Sequence, residues 1–455
     1  MERCQAHRHD RLKVGRPSGQ GQPARIAWPG TAALAVLVVL GFAVSVRPAG
    51  TQVMDEDFAR AVKEWTTRPE FLSPLVDHLP LSPTVPSPRG FLGEHIGAPS
   101  ILHYTRDIYE YFQALEANSM RVKVATIGKT EEGRDILVAF ISSDENIRKL
   151  ETYRDYLRRL GDPRGLDDFQ AAAIIAECKP IYHITGGLHA PETGSSEMLT
   201  ELAYRLAVEE SDLIRRIRDN VIVVLSPVVD PDGRDRAVDW HYRHKADITD
   251  SDDPVLGPPY WSKYILHDNN RDINFTGASA SAHLDFHLRW RPTVMHDLHE
   301  SLPYLYIYSG FSVRDPGLDP ELFAELYWFS NYQKMRLVAY GMPGVWDHGT
   351  FDIWWPGYFS FIGAYHNALV QMYETFSNNG PNTMRRNIAP PKAKPGEPDI
   401  PWYLARDYTA RDWRRPLPAY TEVVWSARNT INYSETGVLC ALELAAAHAK
   451  TLLEN

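Results

Sequence analysis

Continuous apolar runs alternate with helical patterns along most of this chain. Residues 180–187 (PIYHITGG) and 221–230 (VIVVLSPVVD) lack polar alternation, as in strands buried on both faces. Between them Met198, Leu199, Leu202 and Leu206 recur at three-to-four spacing, which predicts a helix over 195–208. Upstream, RVKVATIG (121–128) and DILVAFISS (135–143), joined by a short glycine-containing turn, predict a hairpin. RPTVMHDLH (291–299) returns to strand, and YLYIYS (304–309) and the apolar run at 368–375 (ALVQMYET) follow. Helices are predicted at 106–116, 144–160, 167–177, 322–340 and 437–453. Strand–helix–strand alternation of this kind implies an α/β fold, a mixed, largely parallel sheet flanked by helices. The polar stretch 233–290 is expected to be a long functional loop, and 349–361 (GTFDIWWPGYFSF) an aromatic one.

Composition changes the picture mainly at the ends. With 455 residues, 44% of them hydrophobic, and a net charge of −10, the chain can bury a large core and disfavours a nucleic-acid partner. Residues 1–30 carry six Arg or Lys against Glu2 and Asp10, and an uncharged segment then runs from 26 to 46. Residues 1–46 are therefore expected to be a signal peptide, with Ala43-Val44-Ser45 as cleavage site, or an uncleaved membrane anchor. Either places the bulk of the chain outside the cytoplasm, with membrane contact only in the uncleaved case. Residues 47–97 read as a lead-in, and 386–455 as a proline-rich linker with a C-terminal helical extension. Cys178 and Cys440 are compatible with pairing and with two buried thiols.

Candidate chemistry sits beyond the strand ends. In GGLHAPETGSSE (186–197), His189 and Glu192 flank Pro191 in the turn after the first buried strand. They are either metal ligands or a pair that caps the next helix. A zinc site needs a third ligand and one open position. His296 and His299 lie on opposite faces of their strand by alternation, and His299 is nearer its end and shares a face with Asp297.

The order of these motifs resembles the zinc carboxypeptidase family. Between the H-x-x-E and the closing histidine stand Asp230-Pro231-Asp232-Gly233, Trp240-His241-Tyr242-Arg243 and Asp268-Asn269-Asn270-Arg271. The resemblance spans roughly residues 98–380 and implies a catalytic domain over 98–385 that hydrolyses C-terminal peptide bonds. By that resemblance His189, Glu192 and His299 hold one zinc per chain, with Asp268 orienting a ligand histidine. Asn270 and Arg271 grip the terminal carboxylate of a peptide substrate, Arg243 stabilises the oxyanion, and Tyr358 matches the mobile tyrosine. Glu374 is the general base, with Glu300 as the alternative. Pro191 and Asp230 depart from the family's usual arginine and asparagine. A deacylase of N-acyl amino acids on the same scaffold and an inactive zinc- or peptide-binding relative are the rival readings.

Overall fold

The apolar runs assemble into one eight-stranded sheet. Its strands are β1 (Val122–Lys129), β2 (Asp135–Ile141), β3 (Ile181–Gly186), β4 (Ile222–Ser226), β5 (Val294–His299), β6 (Leu305–Ile307), β7 (Val345–Trp346) and β8 (Leu369–Thr375). They lie in the order β1-β2-β4-β3-β5-β8-β6-β7. The central strands β4, β3, β5 and β8 run parallel, whereas β2 joins β4, and β6 joins β8, antiparallel. The computed structural model describes residues 52–248, 257–258, 266–310, 314–348, 351–354, 357–389 and 407–455. The expected leader or anchor at 1–46 lies outside the described residues, as do Trp355 and most of the proline-rich stretch. Among the described residues no helix is long and apolar enough to cross a membrane.

All four central strands are buried along their length because helices cover both faces of the sheet. One face packs Tyr182, Ile184 and Val223 against the helices Thr105–Asn118, Gly194–Val208 and Ala427–Ala447. The other packs Val138, Phe140, Ile181 and Val224 beneath the helices Leu150–Leu160 and Ala278–Trp290.

Register then fixes the site. Gly186 pairs with Leu298, and His299 pairs with Glu374, so the carboxyl ends of β3, β5 and β8 lie side by side. Open α/β sheets place their binding crevices at such ends. Leaving β3, Gly187 takes φ +68°, and a Cβ there would come within 2.5 Å of Ser196 Oγ. Only glycine fits a chain that turns this tightly from strand into helix.

Several expectations change. The stretch expected as a long loop over 233–290 is helical at both ends, at Pro231–His244 and Ala278–Trp290. Asp230 caps the first of these and Pro231 opens it, a start signal that the polar composition obscured. In the second, buried His283 and His287 occupy positions that would ordinarily be apolar. The last long helix begins at Ala427, ten residues before its predicted start. Arg428, Asn429, Asn432 and Glu435 in its first half are buried, so the segment carries no amphipathic pattern.

The expected C-terminal extension is packed into the core. Its helix lies on the sheet, where a Cβ at Gly437 would meet Tyr373 Oη at 2.7 Å. Short strands Met384–Asn387 and Glu422–Trp425 pair antiparallel, and Trp425 is fully buried. The lead-in likewise contributes buried Phe58, Val62 and Phe71, so Thr51–Asn455 forms one compact unit. Both described cysteines are free and buried.

Candidate metal centre and active site

The turn that follows β3 returns on itself through Pro191, with the Glu192 N–H donating to the His189 carbonyl at 3.0 Å. This aims both side chains at the end of β5. His189 Nδ1 lies 2.7 Å from Glu192 Oε1, and His299 Nδ1 lies 2.9 Å from Glu192 Oε2. One ligand atom from each of the three residues falls within 4.8 Å of the others. The far nitrogens are held as well. His189 Nε2 meets Asp268 Oδ1 at 2.9 Å, and His299 Nε2 meets Asp297 Oδ2 at 3.0 Å. Asp297 is in turn fixed by the Thr185 hydroxyl, which donates to it at 2.6 Å.

Charge explains the pattern. Burial opposes a proton on His189, but the charge of Glu192 and the bond to Asp268 outweigh it and raise its pKa to about 9. Burial likewise opposes charge on His299, yet Asp297 and Glu192 raise it well above the ordinary histidine value. Burial would favour neutral Glu192, and the two histidines instead hold it at about 2. Three carboxylates thus surround two imidazoles, leaving a net negative, partly buried cluster. A divalent cation among the donors would take the place of the imidazole protons. Two Nδ1 atoms and a carboxylate, each ring braced from behind by another carboxylate, is a donor set that suits zinc and leaves a position open.

Around this cluster the other candidates separate. Glu374 is brought beside His299 by strand register, and its Oε2 accepts from the Ser301 hydroxyl at 2.7 Å. Burial, reinforced by the Glu192 charge, pushes its pKa up to about 7 against the attraction of His299. Glu300 has a different task. Its Oε1 accepts the Ser195 N–H at 2.7 Å, in the first turn of a helix whose own N-cap, Thr193, makes no side-chain capping bond. It caps that helix. His296 points to the opposite face, buried and bonded to the Tyr182 hydroxyl at 2.9 Å, with burial holding its pKa near 3.

Asn270 is buried, its amide nitrogen 3.2 Å from His299 Nε2 and its oxygen accepting from the Phe359 N–H at 2.7 Å. Arg271 is more open, 39% exposed, and lies over the Tyr358 ring at 4.4 Å with Asp268 3.9 Å away. Arg243 is not brought to the cluster. It stands 70% exposed on the last turn of its helix, 3.6 Å from Asp239, because the W-x-x-R segment is helical and turns this side chain outward. In the aromatic loop Phe359 is core against His283, whereas Trp354 is exposed. Two contributors escaped the sequence reading. Ser301 lies two residues beyond β5 and donates to Glu374, and Asn269, inside the D-N-N-R motif, donates to the Leu188 carbonyl at 2.7 Å and anchors the turn that carries His189 and Glu192.

Comparison with known proteins places the chain in a family. A family model described as zinc carboxypeptidase matches residues 108–340. Among solved structures, a metallo-carboxypeptidase from Burkholderia cenocepacia is 15% identical, with a TM-score of 0.45 over 77% of this chain and 70% of that one. A metallo-carboxypeptidase from Pseudomonas aeruginosa in complex with (2-guanidinoethylmercapto)succinic acid is 13% identical, with TM-score 0.45 and the same coverage. Carboxypeptidase A from Helicoverpa armigera is 14% identical, with TM-score 0.41 over 77% of this chain and 75% of that one. No curated protein matches the chain.

Proposed function

The chain belongs to the zinc carboxypeptidase family, and from that premise we propose that it removes the C-terminal residue of peptides bearing a free carboxylate. The observation that carries this reading is the convergence of His189 Nδ1, Glu192 and His299 Nδ1 beside a buried carboxylate, Glu374. When bound, zinc supplies Lewis-acid activation of water and of the scissile carbonyl.

The protein's own groups do the rest. Asp268 and Asp297 hold the rings so that both Nδ1 atoms face the ligand position. Glu374, with a pKa near 7, is suited to take a proton from the attacking water and return it to the leaving amine. Arg271 offers a planar fork to the terminal carboxylate, stacked on Tyr358 and partly open to solvent. The exposed Arg243 takes no part in this reading, and neither does Glu300, which is committed to its helix. The family assignment does not favour the deacylase or the inactive relative.

Glu374→Gln tests the assignment, because it keeps the size of the side chain and removes the proton acceptor. Loss of a general base costs on the order of 10²–10⁴ in kcat. Zinc content should stay at the wild-type level while turnover of a peptide substrate falls by that factor. Near-normal turnover would move the role to another carboxylate.

A further inference from the structure

We infer that Arg234 is a positioning residue for the metal centre, acting through the turn that carries His189 and Glu192; this rests on the zinc peptidase reading above. That turn closes on itself through the Glu192 N–H to the His189 carbonyl at 3.0 Å and the Ser195 hydroxyl to the Glu192 carbonyl at 3.3 Å. It is also gripped at its two ends by side chains from elsewhere. At Leu188 the carbonyl accepts from Asn269 Nδ2 at 2.7 Å. At Thr193, the residue after ligand Glu192, the carbonyl accepts from Arg234 Nη1 at 3.0 Å. Thr193 provides no side-chain cap for the helix it precedes, and Glu300 and Arg234 hold this end from outside the turn.

Arg234 is built for such a clamp. It is 1% exposed, one turn into the helix that Asp230 caps. Its Nε and Nη2 both donate to the His103 carbonyl, at 3.0 and 2.9 Å, and Nη2 also pairs with Glu197. Glu197 in turn accepts from the His103 backbone N–H at 3.1 Å and meets His103 Nδ1 at 2.8 Å. One guanidinium therefore ties the segment around His103, the helix Gly194–Val208 and the ligand turn into a single buried unit. A planar fork with five donors can serve three acceptors at once, and a lysine ammonium on a flexible stem cannot hold the same arrangement. The D-P-D-G motif thus acquires a role in this chain: it starts the helix that delivers Arg234 to the back of the ligand turn.

The conservative variant Arg234→Lys separates positioning from folding. Lysine keeps a positive charge beside buried Glu197 but loses the simultaneous grip on the His103 and Thr193 carbonyls. Two quantities are read on the full chain: the zinc dissociation constant by chelator competition, and the Tm of the metal-free protein. Groups that orient metal ligands from behind are worth about 10–100-fold in affinity. Arg234→Lys should weaken zinc binding by about tenfold or more and leave the metal-free Tm close to wild type. The double variant Arg234→Gln with Glu197→Gln, which removes both charges, should show the same split. Zinc affinity within about twofold of wild type in both would overturn the assignment. So would a metal-free Tm that collapses in both, which would make Arg234 a residue of the fold alone. A wild-type chain that takes up no zinc would instead sink the metal reading on which the inference stands.

Discussion

The choice between two histidines three residues apart decides the chemistry at the scale of single residues. His296 and His299 leave opposite faces of β5, and only His299 faces Glu192. His189→Ala and His299→Ala should each abolish stoichiometric zinc, measured by elemental analysis of purified protein, whereas His296→Ala should retain it. Zinc lost from His296→Ala and kept by His299→Ala would reverse the assignment. Strand alternation separated the two rings, because a period of two needs no tertiary knowledge, and nearness to the strand end singled out His299. The family resemblance pointed to Asp268 and strand alternation to Asp297, and each is hydrogen-bonded to one of the two rings. Arg243 and Glu300 were not. Arg243 was placed by motif order, but order along the chain does not say which way a helical side chain points. Glu300 sits next to His299, yet a helix start without a side-chain cap of its own claims it, and that start becomes its neighbour only after β3 and β5 pair.

At the scale of elements, the helix Ala427–Ala447 shows where hydrophobic patterning misleads. Arg428 forms a bidentate pair with Glu201 at 2.6 and 2.9 Å, and Arg205 meets Glu435 at 2.8 Å, all four side chains at zero exposure. These pairs tie the last long helix to the helix Gly194–Val208. Removing one partner strands a buried charge, at a cost of about 3–5 kcal/mol. Arg428→Ala should lose that much unfolding free energy in a denaturant titration, and a loss below about 1 kcal/mol would show that the pair does not hold the helix in place. A segment rich in Arg, Asn, Ser and Glu reads as solvent-facing from sequence, so its start was predicted too late. The edge of the same network is sensitive to pH. Asp77 and then Glu209 raise the pKa of His78 to about 9 against the effect of burial. A histidine pKa raised above its unfolded value of about 6.5 stabilises the fold fully below that pH. The contribution is lost as pH rises through about 9. Wild-type stability should fall across this window more steeply than that of His78→Gln, and equal slopes would remove His78 from the account.

For the molecule as a whole, the alternation of strands and helices was enough to anticipate a largely parallel sheet with its chemistry at the strand ends. The extent of the folded unit was not, because the lead-in and the tail are buried through pairings hundreds of positions apart, such as Thr67 with Asn429. The central claim is that this unit is a metal-dependent exopeptidase that reads a free carboxylate. The most direct test is mass spectrometry of the products from one peptide presented as free acid and as C-terminal amide. It should be run with wild type and with Arg271→Ala, before and after zinc is removed and restored. Breaking a charge-assisted, bidentate pair in a partly buried site costs roughly 2–5 kcal/mol. The account predicts release of single residues from the free acid, abolished by chelation and restored by zinc, with kcat/KM down about 30-fold or more in Arg271→Ala. The amide should be a poor substrate that Arg271→Ala worsens little. Efficient cleavage of the amide by wild type, or release of the terminal residue that survives removal of the metal, would contradict it.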